Sequence, residues 1–185
     1  MTTIEIERTN IIFDPKVQQY CNNLDFRCPN YGHNWACPPQ APYLDSILTK
    51  YTQFFLVYEK FDLKEYIREK KSRFPNRSEE KIKNAFYREQ FMRDWIEQDI
   101  KKFVENLGGK YEKLFILWDG HCRVCEKVQK NCSYDEGIAC RFPSDIHYSM
   151  EAVGINVTET VKNLDLDIEW PPRNYAFRFS LVCLK

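Results

Sequence analysis

The chain has 185 residues with 27 lysines and arginines against 27 aspartates and glutamates, so its formal net charge is zero. This balance argues against a nucleic-acid-binding protein, which usually has a basic excess. No apolar run reaches the roughly 18–20 residues of a membrane helix, and the start MTTIEIERTN has no signal-peptide core. We therefore expect a soluble cytoplasmic protein that binds neither nucleic acid nor membrane.

The charges are unevenly distributed along the chain. Residues 60–113 lean basic, and residues 144–169 lean acidic. The basic segment fits a solvated helix surface, and alternatively a docking face for an acidic redox partner.

The N-terminal part predicts irregular structure followed by a strand. Residues 1–42 are rich in cysteine and proline, and five prolines interrupt them. Residues 43–51 suit a short helix. Residues 54–61 (FFLVYEKF) are aromatic and β-branched, which is typical of a buried strand.

A helical region is predicted next. Residues 62–72 are charged and helical in pattern, and a long helix is expected over residues 79–107, with Ser78 as its N-cap. Apolar residues recur there at three- and four-residue steps, which gives one apolar face. Gly108-Gly109 supplies the C-terminal stop.

The C-terminal half predicts two more strands, at residues 113–119 and 175–184, with helical segments at 149–153 and 158–164 between them. Asn156 and Glu159 form a possible cap pair. This order indicates one α/β domain over residues 1–185, an α/β sandwich with a small mixed sheet and cysteine-rich loops that hold a metal centre. The strand order cannot be read from the sequence.

Four cysteines lie close together after the second predicted strand, in the segment HCRVCEKVQKNCSYDEGIACRFP, within a loop region at residues 120–157. They are separated by two, six and seven residues: Cys122, Cys125, Cys132 and Cys140. A reducing cytoplasm disfavours stable disulfides and favours metal thiolates or reactive thiols. Four thiolates satisfy either a tetrahedral zinc ion or an iron–sulfur cluster.

The spacing favours an iron–sulfur cluster over zinc. Zinc ribbons usually have two Cys-x2-Cys pairs far apart, whereas this segment has one pair followed by two isolated cysteines. The run is nevertheless not the bacterial ferredoxin motif, and thiol chemistry or simple packing stays open as an alternative.

A second group of cysteines lies upstream, at Cys21, Cys28 and Cys37. Prolines follow two of them and stiffen their loops. These three are candidate ligands of a second centre or additional ligands of the first. The alternative is that they are buried free thiols packed among aromatic residues.

Both groups of cysteines resemble blocks of a known family. CPNYGHNWACPPQAP and the segment from Cys122 to Ile155, with its SMEAVGI stretch, resemble the two hallmark blocks of the domain-of-unknown-function 2284 family. The resemblance implies metal binding, most simply by an iron–sulfur centre, but no particular reaction. Val128 stands where the family pattern has a further cysteine.

Three polar residues are candidates for supporting the centre. Arg123 and Arg141 follow cysteines and are suited to offset thiolate charge, with ordinary surface arginines as the alternative. Ser149 begins a short predicted helix whose N-terminus would face the centre, with simple capping as the alternative.

The functional prediction is a protein with one [4Fe-4S] cluster, and a possible second, that passes electrons to a redox partner protein. One alternative is an enzyme whose cluster keeps an open iron site for substrate or sulfur chemistry. Another is a structural zinc domain. The sequence contains no nucleotide-binding loop and no hydrolase motif.

Overall fold

The computed structural model describes residues 1–24, 27–88 and 91–185. Its four strands form one sheet in the order β1-β2-β4-β3. The strands are β1 (Thr2–Ile6), β2 (Gln53–Asp62), β3 (Leu114–Leu117) and β4 (Tyr175–Leu184). The α-helices are α1 (Asp45–Leu48), α2 (Leu63–Arg73), α3 (Glu79–Arg88), α4 (Phe91–Asn106) and α5 (Val157–Lys162).

The two longest strands form the centre of the sheet. β2 and β4 pair over their full lengths, from Gln53 opposite Leu184 to Asp62 opposite Tyr175. β1 pairs along the outer side of β2, and β3 pairs with the C-terminal half of β4. The α/β class is confirmed.

The sheet is antiparallel, so the expectation of a mixed sheet is wrong. β2 and β3 run in the same direction, as strands joined by intervening helices often do. The last strand, β4, inserts between them in the opposite direction, so each neighbouring pair becomes antiparallel. No periodicity in the sequence encodes this insertion.

Each face of the sheet is covered by a different part of the chain. On one face, Val57 and Val182 pack against Ile96 and Ile100 of α4. On the other face, Leu56 and Leu181 belong to a core cluster that also contains Met150, Val153 and Ile155. The segment that follows the downstream cysteines is therefore anchored directly under the sheet.

Most predicted elements are found near their expected bounds. The predicted strand at 175–184 is confirmed, and the one at 54–61 extends by a residue at each end. Strand β1 was missed because residues 1–42 were judged irregular, although its Thr/Ile/Glu alternation fits a short edge strand. The long helix expected over 79–107 is described as α3 and α4, and residues 89 and 90 between them lie outside the described residues.

The predicted caps are also present. Ser78 Oγ accepts a hydrogen bond from the Lys81 amide (3.3 Å), and Asn156 Oδ1 accepts one from the Glu159 amide (3.1 Å). Within the described residues, no helix is long and apolar enough to cross a membrane.

Gly154 provides a test of the packing beneath the sheet. Its φ is +94°, and a Cβ added there would lie 2.3 Å from Cε2 of Tyr43. We expect Gly154→Ala to lower the free energy of unfolding by about 1–3 kcal/mol more than the control Gly109→Ala. Gly109 has a φ of +70°, and an added Cβ there would have nothing within 4 Å. The control therefore measures only the cost of placing alanine at a positive φ. Urea denaturation measures the free energy of unfolding of both variants. Equal unfolding midpoints would show that the added Cβ does not clash with Tyr43.

Candidate metal centre

The end of β3 fixes where the downstream cysteine loop begins. Trp118 donates its backbone N–H to the Tyr148 carbonyl (2.7 Å), and Trp118 and Ser149 form an isolated parallel bridge. Asp119 follows and is buried. The loop that carries Cys122 and Cys125 therefore begins on the sheet, while the segment after Cys140 returns to the same point.

Arg93 of α4 holds this loop from the helical side. Arg93 is 5% exposed, and its guanidinium donates to the Asp119 carbonyl from Nε (3.1 Å) and Nη2 (2.8 Å). Nη2 also donates to the His121 carbonyl (2.6 Å). Gly120 lies between these two carbonyls, and a Cβ there would lie 3.2 Å from the guanidinium. Arg93 thus fixes the three residues that precede Cys122.

Sequence reasoning missed Arg93. Its position within a regular helical pattern made it look like one more charged surface residue. The available signal was its placement among Met92, Ile96 and Ile100, on the apolar face of the helix, where a solvated arginine is not expected.

The four downstream cysteines line one cavity of about 380 Å³. Cys122, Cys125, Cys132 and Cys140 all contribute to its wall, together with Asn34 and Trp35 from the upstream block. All eight cysteines of the chain are free thiols. The structure therefore brings the predicted quartet together around a common space.

Cys122 is partly buried, as are the other three. Burial raises the pKa of its thiol, while the nearby backbone N–H groups of His147 and Val124 lower the pKa in part. Amide donors of this kind stabilise a thiolate, which is the form that binds metal.

Of the three predicted supporting residues, Arg141 lies near a cysteine. Its guanidinium pairs with Glu136, donates to the Asn131 carbonyl (2.9 Å), and interacts electrostatically with the Cys125 sulfur. A positive charge therefore lies near one sulfur of the quartet.

Arg123 and Ser149 have other partners. Arg123 pairs with Asp94 (2.9 Å) and Glu97 (2.5 Å) of α4, so two carboxylates already offset its charge. Ser149 Oγ accepts a hydrogen bond from the Ala152 amide (3.2 Å), within the short 3-10 helix Glu151–Val153. Their support of a metal centre stays a prediction.

The upstream block is docked on the downstream loop. Asn34 Nδ2 donates to the Cys122 carbonyl (3.2 Å), and Trp35 Nε1 donates to the Ile138 carbonyl (3.2 Å). The Trp35 ring packs edge-on against Tyr134, with centroids 5.0 Å apart. His33 Nδ1 lies 2.9 Å from Asp135 Oδ1. Two segments about a hundred residues apart thus form one site.

Cys37 is close to cysteines of both groups. It is buried, and burial raises the pKa of its thiol to about 12. Its electrostatic neighbours include Cys28 of the upstream group and Cys122 and Cys132 of the quartet. The second group is therefore adjacent to the first.

Cys21 and Cys28 form a close pair within the upstream group. The Cys28 amide donates a hydrogen bond to the Cys21 carbonyl (2.8 Å). The nearby Cys21 thiol and the backbone N–H groups of Asn30 and Tyr31 lower the pKa of Cys28 to about 6, while the pKa of Cys21 is raised.

A single metal ion needs its donors close to one point. A tetrahedral zinc ion holds its sulfur ligands about 2.3 Å from that point. Among the described residues, no three His, Cys, Asp or Glu side chains lie close enough together to hold a metal ion, although the four cysteines of the quartet line one cavity.

The histidines near the cavity have protein partners. His121 Nδ1 lies 3.3 Å from Arg93 Nη1, and its Nε2 lies 3.5 Å from Glu126. His147 stacks on Trp118 with ring centroids 4.2 Å apart, and burial lowers its pKa to about 4. His147 is thus neutral at pH 7.

The fold and the cysteine-lined cavity define a cysteine-rich α/β protein built around a candidate metal centre. The chain belongs to the family described as predicted metal-binding protein (DUF2284), whose match covers residues 4–184. This confirms the resemblance seen in the two cysteine blocks. No curated protein and no solved structure matches the chain.

Arg93 can be tested by a conservative substitution. Arg93→Lys keeps the charge but cannot donate to two carbonyls in the same plane. We expect a loss of about 1–3 kcal/mol in the free energy of unfolding, because buried acceptors lose their donors. Arg68→Lys, on an exposed i,i+3 pair of α2, is the control and should change stability by less than about 0.5 kcal/mol. Similar urea midpoints for the two variants would show that the Arg93 contacts are dispensable.

Proposed function

We propose that this chain is an iron–sulfur protein in which Cys122, Cys125, Cys132 and Cys140 hold a [4Fe-4S] cluster. The observation that carries the proposal is the shared cavity of about 380 Å³ whose wall contains all four sulfur-bearing side chains. A cluster needs thiolates distributed around a volume, whereas zinc needs them gathered around a point. The structural zinc domain is therefore the weaker alternative.

The surroundings of the cavity suit a negatively charged centre. Backbone N–H groups lie near the Cys122 sulfur, and the positive Arg141 guanidinium lies near the Cys125 sulfur. Hydrogen bonds and positive charge at the sulfurs are the features by which proteins raise the reduction potential of such clusters. Phe142, Ile146 and Trp35 line the same cavity and limit the access of water.

We infer that the bound cluster would transfer single electrons to a partner protein. Four cysteines complete the ligand set, which leaves no iron open to substrate. Val128 and Ile138 lie on the cysteine loop and are each 49% exposed. These apolar side chains, beside a shielded centre, give a small docking edge for a redox partner.

The second candidate function is an enzyme whose cluster has an open iron site. Cys37 favours it, because its thiol neighbours Cys122 and Cys132 and places a fifth sulfur at the edge of the quartet. If Cys37 served as a ligand in place of one member of the quartet, that member would be free for chemistry. Iron retained in a single quartet variant but lost in Cys37→Ser would support this function.

Cysteine substitutions test the ligand set. Each of Cys122→Ser, Cys125→Ser, Cys132→Ser and Cys140→Ser should lose most of its iron, sulfide and visible absorbance, because a [4Fe-4S] cluster requires all four thiolates. Anaerobically purified wild type should contain about four irons and four sulfides per chain. Cys183→Ala is the control, since Cys183 is buried in β4, on the sheet, and should leave the iron unchanged. A colourless wild type that contains only zinc would contradict the proposal.

Arg141 tests the electrostatic support of the cluster. Replacing it with glutamine removes a positive charge from the Cys125 sulfur, so the reduced cluster is destabilised and its reduction potential should become more negative. Arg141→Lys keeps the charge and should retain most of the wild-type potential. Protein-film voltammetry on the loaded protein measures both. An unchanged potential in Arg141→Gln would mean that the charge does not act on the centre.

A further inference from the structure

The stretch between Cys125 and Cys132 forms an exposed tip on the cysteine loop. All residues from 126 to 131, here called the loop tip, are exposed, whereas the cysteines on either side are partly buried. Val128, near the middle of the tip, is 49% exposed. A molecule that docks on the loop tip therefore lies within a few residues of two members of the quartet.

The backbone of the loop tip has a defined shape. It begins as a 3-10 turn over Cys125–Val128. The Lys130 amide donates to the Cys125 carbonyl (3.1 Å), and the Gln129 amide donates to the Glu126 carbonyl (2.9 Å). These bonds close the tip into a turn, so its side chains are carried by a folded segment and not by an extended one.

The charges on the cysteine loop are unevenly paired. Each acidic residue between Cys125 and Cys140 has a histidine or arginine partner within the protein. The pairs are Glu126 with His121 (3.5 Å), Asp135 with His33 (2.9 Å), and Glu136 with Arg141. Lys127 and Lys130 are the basic residues of the loop tip, and neither has an ion pair in the part of the chain that the structure describes. The lysines therefore remain available to a partner.

Helix α4 adds a third lysine near the loop tip. Burial is the main cause of the low pKa of His147, and the charges of Lys127 and Lys101 lower it further. The carboxylates of Glu97 and Asp145 act in the opposite direction. Lys101 is exposed and, like the lysines of the tip, has no ion pair among the described residues. The basic surface thus extends from the loop onto the helix.

We propose that the loop tip, together with Lys101, is the docking surface for an acidic electron-transfer protein. An exposed apolar side chain with charged residues around it follows the usual pattern of a protein interface, an apolar centre with a polar rim. Carboxylates of the partner pair with Lys127 and Lys130, and Val128 packs against its apolar centre. Complementary charge steers the encounter and fixes the orientation of the partner on this surface.

This inference rests on the proposed function, because only a redox centre held by these cysteines needs such a partner. One electron passes from the reduced group of the partner to the oxidised cluster. The partner is thereby oxidised by one electron and the cluster is reduced by one, and no covalent bond forms or breaks. The shortest chain connection to the cluster runs from the loop tip into Cys125 and Cys132, which flank it.

The other exposed apolar side chain of the loop does not suit an acidic partner. Ile138 is also 49% exposed, but the carboxylates of Asp135 and Glu136 come shortly before it in the chain. Like charges brought together across an interface oppose binding. The docking surface is therefore the side of the loop that carries Val128, and Ile138 serves as its matched comparison.

The experiment measures how the full chain, purified anaerobically with its metal, binds proteins of defined charge. The probes are flavodoxin and a plant-type [2Fe-2S] ferredoxin, which are acidic, and cytochrome c, which is basic. Biolayer interferometry gives the association rate at about 0.02 M and about 0.3 M ionic strength. We expect both acidic probes to bind at low salt, with association about tenfold slower at high salt, and cytochrome c to bind far more weakly.

Two double variants test the lysines of the loop tip. Lys127→Glu combined with Lys130→Glu should slow association with the acidic probes about tenfold or more at low salt, and the difference from wild type should shrink at high salt. Lys127→Gln combined with Lys130→Gln should show a smaller loss in the same direction. The glutamine pair keeps the test decisive if charge reversal disturbs the fold.

Matched controls come from the other end of the sheet and from the other side of the loop. Lys50→Glu reverses the charge of an exposed lysine near the bond from the Thr52 amide to the Leu184 carbonyl. That end of the sheet is where β3 begins, whereas the cysteine loop follows the end of β3, so Lys50→Glu should bind as wild type does. Val128→Asp should slow association several-fold, and Ile138→Asp should have little effect.

Iron is measured in every variant, so the docking surface and the cluster can fail separately. A wild type without iron would contradict the cluster, and the docking inference would fall with it. A fully loaded protein that binds neither acidic probe, or whose binding is unchanged by charge reversal, would overturn the docking surface alone. Equally tight binding to a single-stranded oligonucleotide would also overturn it, because the lysines would then be a general polyanion surface.

Discussion

The guanidinium of Arg93 is the contact on which the rest of the site depends. It projects from the helical layer and donates to the Asp119 and His121 carbonyls where β3 ends. A buried positive charge is costly unless several acceptors surround it, and Asp119 also brings a carboxylate to 3.7 Å from Nε. The contact ties helix, sheet and loop together immediately before Cys122. A loop that must surround a cavity rather than collapse needs such a fixed starting point.

The far end of the loop is held by the opposite face of the sheet. Met150, Val153 and Ile155 are buried in the core cluster with Leu56 and Leu181, so the chain after Cys140 cannot move independently. Between these two anchors the cysteine loop has little regular structure, so few of its carbonyls are bonded within a helix or strand. The upstream block supplies hydrogen bonds to two of these carbonyls. The bonds from Asn34 and Trp35 to loop carbonyls replace the ladder that a strand would have provided.

The sequence predicts features that depend on residues close together in the chain, and it does not predict contacts between residues far apart in the chain. Local features could be read directly: the strand at 175–184, the Ser78 and Asn156 caps, and the grouping of four cysteines after a strand. The insertion of β4 between β2 and β3 could not, since strand order comes from contacts between distant residues. Arg93 was missed for the same reason. It owes its role to carbonyls far away in the chain, which neither spacing nor composition records.

The upstream and downstream cysteines differ in their surroundings. The quartet lines a common cavity, so its four side chains border one space. Cys21 and Cys28 lie on two adjacent chain segments, where the Cys28 amide donates to the Cys21 carbonyl (2.8 Å). Cys37 is buried, and burial raises the pKa of its thiol to about 12, so the thiol is protonated at neutral pH. The acidity of each thiol is therefore set by its burial and its neighbours, and not by its place in the cysteine pattern.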